Sequence, residues 1–314
     1  MADIKKKILA VVGPTASGKT SLAIFLAERF GGEIISCDSM QIYRYMNIGT
    51  AKPTEEEQAK VPHHLIDFVD PASNFSAADY APLAREKVEE VLAKGKLPIF
   101  CGGTGLYLDA FLSNTVYSDG ETDEKLRASL FAEAEEKGGE SLWERLNTVD
   151  PISAAAIHPN NLKRVIRALE IFEITGKPKS EWDAASRLIP SPYDCLKIGI
   201  SFPDRQTLYD RIDRRVDQMM ADGLTKEVKN LVASGLLPRD TTAAQAIGYK
   251  EILRFLDGEI TEAEAVDFIK QATRRYAKRQ LTWFRRDPNT KWWEPPLDAQ
   301  PEALCQSVSD HLKS

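Results

Sequence analysis

Gly13, Gly18, Lys19 and Thr20 stand in the spacing G-x-x-x-x-G-K-[ST], and the chemistry this spacing serves is the holding of a di- or triphosphate. Glycines let successive backbone N–H groups turn inward as an anion nest, and a helix beginning near Lys19 adds the positive end of its dipole. Lys19 brings a full charge, and Thr20 brings a hydroxyl suited to Mg²⁺. The whole loop, Gly13, Pro14, Thr15, Ala16, Ser17, Gly18, Lys19 and Thr20, is therefore the expected diphosphate site, with Thr20 as its metal ligand. Such a loop says nothing about which bond to the phosphate is broken.

Two further clusters carry chemistry. Asp38, with Ser39, Met40 and Gln41 beside it, follows the apolar run Ile34-Ile35. An acid there serves equally as a proton acceptor or as a turn and cap residue, and the hydrogen-bonding neighbours tilt the reading toward function. Gly102-Gly103-Thr104-Gly105 forms a second glycine turn after Leu97–Phe100, presenting Thr104 either to a cleft or as a helix cap. A motor or switch NTPase would end that strand in an acid that holds Mg²⁺. Cys101 and glycines occupy the position, which counts against ATP hydrolysis. Asp67 and Asp70 are weak substitutes, His63-His64 has no third ligand nearby and reads as a turn, and Lys52 reads as solvated.

The elements that must position these residues follow from periodicity. Ile8–Val12, Glu33–Ser36, Leu97–Phe100 and Lys197–Ser201 read as buried strands, with a further short strand expected at Leu65–Val69. Ser21–Phe30 and Ser76–Lys94 have helical spacing. Alternation of strand and helix specifies an α/β, P-loop NTPase-like parallel sheet wrapped by helices, whose ligand crevice lies at the strands' carboxyl ends. Between Asp119 and Tyr193 the alternation stops and helical patterns follow one another at Asp123–Lys137, Ser141–Leu146 and Asn160–Thr175, an all-helical insertion. The expected division is 1–118 for the first part of the core, 119–195 for the insertion and 196–314 for the completed core. Arg44–Pro62 reads as an exposed excursion, and Asn289–Ser314 as a tail packing Trp292 and Trp293.

Basic residues gather in three places. The insertion helix carries Lys163, Arg164 and Arg167 after Asn160, Asn161 and Leu162. Asp204–Met220, expected to turn Leu208, Ile212, Val216 and Met219 inward, keeps Arg211, Arg214 and Arg215 free to reach a phosphate cleft. The last large helix, about Thr261–Arg286 with Phe268 on its apolar side, holds Arg274, Arg275, Lys278 and Arg279 interleaved with Tyr276, Trp283 and Phe284. Cations for phosphates and flat rings for unstacked bases suit looped or single-stranded nucleic acid. A solvated amphipathic face is the plainer alternative.

Bulk properties bound these readings. With 314 residues and 43% hydrophobic composition, the chain can bury a full core, and a net charge of −6 argues against indiscriminate coating of nucleic acid. No run approaches a membrane span and no apolar leader follows Met1–Lys7, so a cytoplasmic location is expected. Cys37, Cys101, Cys195 and Cys305 form no C-x-x-C pair and suggest neither zinc nor disulfides.

Taken together, Gly13–Thr20, Asp38–Tyr43, Ile48–Pro53, Gly102–Tyr107, Arg164–Glu170, Gln245–Lys250 and Arg274–Phe284 resemble the tRNA dimethylallyltransferases of bacterial type, over nearly the whole chain. That resemblance implies transfer of a dimethylallyl group from dimethylallyl diphosphate to N6 of the adenosine just 3′ of the anticodon, with Mg²⁺ as cofactor and the tRNA anticodon stem-loop as partner. It places Thr104 at the reaction channel. It assigns tRNA contacts to the helical insertion, to Asn160–Arg164 and to Gln245, Ala246, Ile247, Gly248, Tyr249 and Lys250, while Asp38, Ser39, Met40, Gln41 and Thr104 are themselves suited to meet a base flipped into the cleft. Asp38 is then the candidate base for the weakly nucleophilic amine, and Arg211 or Arg215 a stabiliser of the departing pyrophosphate. A monomer without membrane attachment is expected. A P-loop kinase and a nucleotide-switched RNA-binding protein are the rival readings.

Overall fold

The computed structural model describes residues 5–113, 123–188, 190–294 and 302–314. Ile8–Val12 is wholly excluded from solvent, as a strand in the middle of a sheet covered on both faces must be. In chain order the elements are β1 (Lys6–Val12), α1 (Lys19–Phe30), β2 (Gly32–Ser36), α2 (Glu55–Lys60), β3 (His63–His64), α3 (Ala77–Ala93), β4 (Leu97–Gly102) and α4 (Gly105–Leu112). Then come α5 (Glu124–Lys137), α6 (Gly139–Val149), α7 (Pro151–Ala156), α8 (Leu162–Thr175) and α9 (Lys179–Leu188). The chain continues with β5 (Tyr193–Ile200), α10 (Arg205–Ala221), α11 (Leu224–Ala233), α12 (Tyr249–Leu256), α13 (Glu262–Phe284), β6 (Lys291–Trp293) and α14 (Glu302–Lys313).

They form two compact units, Met1–Phe111 with Pro192–Ser314, and Leu112–Ser191. The first contains one sheet of six parallel strands in the order β3-β2-β4-β1-β5-β6. Connections from β1 and from β4, neighbours at its centre, leave in opposite directions across the sheet, which opens a crevice beyond their carboxyl ends. Those ends deliver Gly13 and Thr104, and the adjacent end of β2 delivers Asp38. Gly13 is irreplaceable on geometry: its φ is 142°, and a Cβ there would stand 2.8 Å from the Ile200 carbonyl oxygen on β5. On one side of the sheet α1 buries Leu22, Leu26 and Ala27 against Leu9, Val11, Ile99 and Ile198. A second core gathers Ile42, Tyr43 and Met46 with Val216, Val228, Tyr249, Ile252 and Ile269 from α10 to α13. Capping boxes at Ser76 and Thr261 start α3 and α13.

The second unit holds α5 to α9, packed on Leu130, Leu142, Leu146, Val165, Ile166 and Leu169. Its buried carboxylate, Glu170, is neutralised by Arg127 (3.0 Å) and Arg167 (2.7 Å). The compact unit begins at Leu112, and the expected start at 119 lies outside the described residues.

Three expectations are corrected. The strand expected at Leu65–Val69 is instead His63–His64, because Leu65 and Asp67 take positive φ and break the extended backbone. Trp292 and Trp293 belong to a sixth strand, paired in register with Gly199 and Ile200. Within the excursion, Lys52 is not solvated: its ammonium bonds the Tyr43 carbonyl (2.8 Å), Asn47 (2.9 Å) and Asp67 (2.6 Å). Among the described residues no helix is long and apolar enough to cross a membrane, and Cys37, Cys101 and Cys195 are free thiols.

Candidate active site at the strand ends

The P-loop turns out of β1 through Gly13, Ala16 (φ 61°) and Gly18 (φ 91°), and α1 opens with no acid in its first turn. The Lys19 ammonium donates to the Pro14 carbonyl at 2.6 Å. Burial lowers its pKa to about 8, with Arg215 pushing the same way against the thiol of Cys101 and the carboxylate of Asp38. From α10, one turn apart, Arg211 donates to the Ala16 carbonyl (2.8 Å) and Arg215 reaches Thr15 Oγ1 (3.5 Å). Three cations thus converge on one loop. Arg214 also lines the cavity, is exposed and bonds the Asp210 carbonyl. Among the described residues the Ser17 hydroxyl is buried without a hydrogen-bond partner, and the Thr20 hydroxyl faces the Cys101 thiol where an acid would otherwise stand. Among the described residues no three His, Cys, Asp or Glu side chains cluster as a metal site. Thr20 and Ser17 are hard oxygen donors, a set that fits a Mg²⁺ taking most of its shell from a diphosphate and water.

Across the crevice, Asp38 plays the turn role and leaves room for another. Its Oδ1 accepts from the backbone N–H of Met40 (2.9 Å) and Gln41 (3.3 Å). Among the described residues its Oδ2 has no hydrogen-bond partner, so one oxygen of a rigidly placed carboxylate stays free. The Thr104 hydroxyl accepts from Ser39 N–H (3.0 Å) and donates to Ser39 Oγ (3.1 Å), locking the second glycine turn to the Asp38 turn. Gln41 donates to the Ala51 carbonyl (3.0 Å) and its amide oxygen accepts from Ser36 (3.3 Å). A single cavity of about 1330 Å³ takes in Lys19, Asp38, Ser39, Gln41, Arg211 and Arg215, with Met40, Ile48, Met219 and Ile247 as its apolar lining.

Two members of α13 reach this cavity: Gln280, which the sequence leaves unmarked, and Tyr276, read there as an aromatic among cations. Gln280 accepts from Thr15 N–H of the P-loop (2.9 Å) and donates to the Gly103 carbonyl of the second turn (3.0 Å). Tyr276, whose hydroxyl is raised to about 12 by burial and the nearby Asp38, lines the same cavity. Both lie within a stretch read as an RNA-facing helix, and nothing in helical periodicity separates a bridging glutamine from a solvated one.

The remaining candidates divide by exposure. Arg275, Lys278 and Arg279 are exposed, with Arg279 over the Tyr276 ring. Arg274 is half-buried and held by Asp213 (2.6 Å). Phe268 stands 40% exposed beneath Arg254, not in the core. In Gln245–Lys250, Ala246, Gly248 and Tyr249 are buried, so only Gln245, Ile247 and Lys250 offer side chains outward. Within the helical unit, Asn160, Asn161, Lys163 and Arg164 are exposed around the start of α8, Leu162 packs on that unit's core, and Arg167 is tied to Glu170.

The family model for IPP transferase matches residues 41–287. A tRNA dimethylallyltransferase of Acetivibrio thermocellus is 52% identical over 305 residues, 97% of this chain and 97% of its own length. Its counterpart from Geobacter sulfurreducens is 50% identical over 297 residues, covering 95% and 94%. Among solved structures, the full-length tRNA isopentenylpyrophosphate transferase of Bacillus halodurans superposes with a TM-score of 0.74 at 46% identity, covering 98% of this chain and 97% of that one. A eukaryotic dimethylallyltransferase acting on tRNA superposes with a TM-score of 0.79 at 28% identity, over 98% and 86%. Full-length likeness in sequence and fold, joined to the P-loop crevice, shows that the chain belongs to the IPP transferase family of tRNA dimethylallyltransferases.

Proposed function

We propose that the enzyme transfers a dimethylallyl group from dimethylallyl diphosphate to N6 of the adenosine 3′-adjacent to the anticodon of tRNA, acting as a cytoplasmic monomer. The observation that carries this reading is the single cavity in which three cations on one P-loop face a carboxylate with a free oxygen. No phosphoryl group moves. Lys19, Arg211 and Arg215 hold the diphosphate and stabilise the negative charge that grows on it as the C–O bond breaks. Mg²⁺ bound at Thr20 would add positive charge to the same leaving group. The amine of adenine is a poor nucleophile because its lone pair is drawn into the ring. Asp38 Oδ2 accepts its proton as the C–N bond forms, while Oδ1 keeps the carboxylate aimed. Adenine must leave the anticodon-loop stack to enter, and Ser39, Gln41 and the turn locked by Thr104 are placed to meet its edge.

The RNA is gripped outside the chemistry, by Arg275, Lys278 and Arg279 on α13, by Gln245 and Lys250, and by the exposed start of α8. Incubation with Mg²⁺, labelled dimethylallyl diphosphate and unmodified tRNA tests the reading, with label expected in the RNA. Phosphorylation of any acceptor from ATP without RNA, and no prenyl incorporation, would overturn it in favour of a kinase.

A further inference from the structure

One loop of the cavity wall, Asn47–Gly49, is held from behind by one carboxylate. Glu227, on α11, accepts from the backbone N–H groups of Asn47 (3.0 Å), Ile48 (2.9 Å) and Gly49 (3.3 Å) and from the Tyr249 hydroxyl (2.6 Å). Three successive N–H groups converging on a carboxylate make a charge-assisted anchor. Gly49 lies flat on the Tyr249 ring, where a Cβ would come within 2.4 Å of Cε2. The loop it pins carries positive φ at Tyr45 and Ala51, conformations that persist only where their surroundings hold them. Ile48, together with Met40, Met219 and Ile247, supplies apolar lining to the same cavity that Lys19, Arg211 and Arg215 line with charge.

Cations and apolar side chains in one cavity match an allylic diphosphate, a charged head on a short hydrocarbon tail. Resting on the reading above, we propose that Glu227 is a positioning residue that fixes the Ile48–Gly49 wall as the end-stop for the prenyl tail, and thereby sets the preference for a five-carbon over a ten-carbon chain. Glu227 touches neither substrate. It acts through the loop, and Tyr249, a buried member of the Gln245–Lys250 segment, acts through Glu227.

The test compares initial rates of transfer to an unmodified anticodon stem-loop from dimethylallyl and from geranyl diphosphate in wild type, Glu227→Gln and Tyr249→Phe. A glutamine turns N–H donors toward the N–H nest and releases the wall. Glu227→Gln is expected to raise KM for dimethylallyl diphosphate with kcat nearly kept. It should also lower the dimethylallyl-to-geranyl ratio of kcat/KM by about tenfold or more, the scale on which apolar pockets discriminate by chain size. KM for the RNA should stay unchanged. Tyr249→Phe keeps the ring under Gly49, removes one donor, and should shift the ratio the same way by less; it decides alone if Glu227→Gln does not fold. Wild-type selectivity in the folded variants, or a fall in kcat at constant selectivity, overturns the assignment. Failure of the wild-type enzyme to prenylate RNA from either diphosphate would instead defeat the functional reading beneath it.

Discussion

Asp38 shows how one side chain satisfies two readings at once, because a carboxylate has two oxygens and the Met40–Gln41 turn uses only one. Asp38→Asn keeps that acceptor and removes the proton acceptor, so turnover should fall by about 10²- to 10⁴-fold with RNA affinity nearly unchanged, measured as single-turnover rate against tRNA binding. Near-normal turnover would exclude the general-base role. Lys19 supplies a pH signature of a particular sign. Its buried ammonium has a pKa of about 8 in the free protein, below the ordinary 10.5. The folded state therefore binds fewer protons than the unfolded one between those values, and stability rises with pH across that window. Diphosphate binding runs the other way: the anion needs Lys19 charged, so affinity weakens as pH climbs above about 8 and binding there takes up a proton. Calorimetry in two buffers of different ionisation enthalpy reads that uptake, and Lys19→Met should abolish it while sparing RNA affinity.

At the scale of elements, α13 does more than present charge. Gln280 ties its C-terminal end to both glycine turns, satisfying the half-buried Thr15 N–H from one side and the Gly103 carbonyl from the other. Gln280→Ala leaves both orphaned and should cost on the order of 1–3 kcal/mol of stability. Lowered kcat should accompany it, because the two turns lose their common brace; thermal unfolding and turnover measured on the same sample check both. The sheet's outer strand has its own clasp. Burial alone would raise the Glu33 carboxyl, but hydrogen bonds from Lys96, His64 and Lys94 hold it down at about 2. Its stabilisation is present above the ordinary 4.5 and is lost as pH falls from there through about 2; Glu33→Gln should flatten acid unfolding in that range. How legible such elements are depends on the length of their signals. β1, β2, β4 and α3 are readable because each repeats its pattern over several residues and ends in a turn or cap. The three residues of β6 and the two of β3 are too short to show alternation, and their pairing is set by β5 and β2. The bridging role of Gln280 and the anchoring role of Glu227 are invisible for another reason: both are polar positions on amphipathic helices, and their partners lie 265 and 180 residues away.

For the molecule as a whole, a net charge of −6 coexists with a local cationic face, and the structure refines which cations count. Arg274 is neutralised by Asp213 and Arg167 by Glu170, so replacing either with Gln should hardly change the salt dependence of tRNA binding. Replacing Arg275, Lys278 and Arg279, or Lys163 and Arg164, should flatten the slope of log affinity against log salt by somewhat under one unit per lost phosphate contact. Turnover at saturating RNA should change little. A wild-type slope in folded variants would mean that these cations are merely solvated. One feature of the architecture also governs how the protein is made. The first unit is assembled from two stretches with the helical unit between them, and β1 lies between β4, which precedes that unit, and β5, which follows it. The P-loop leaves the ribosome roughly 10 to 40 s before Arg211 and Arg215 do at ordinary translation speeds. The helical unit, continuous in sequence, is complete while the sheet it interrupts still lacks β5 and β6. A nascent chain arrested before β5 therefore carries an anion nest with no arginine clamp, and the capacity to hold a diphosphate switches on late in synthesis, as β5 and α10 close the gap.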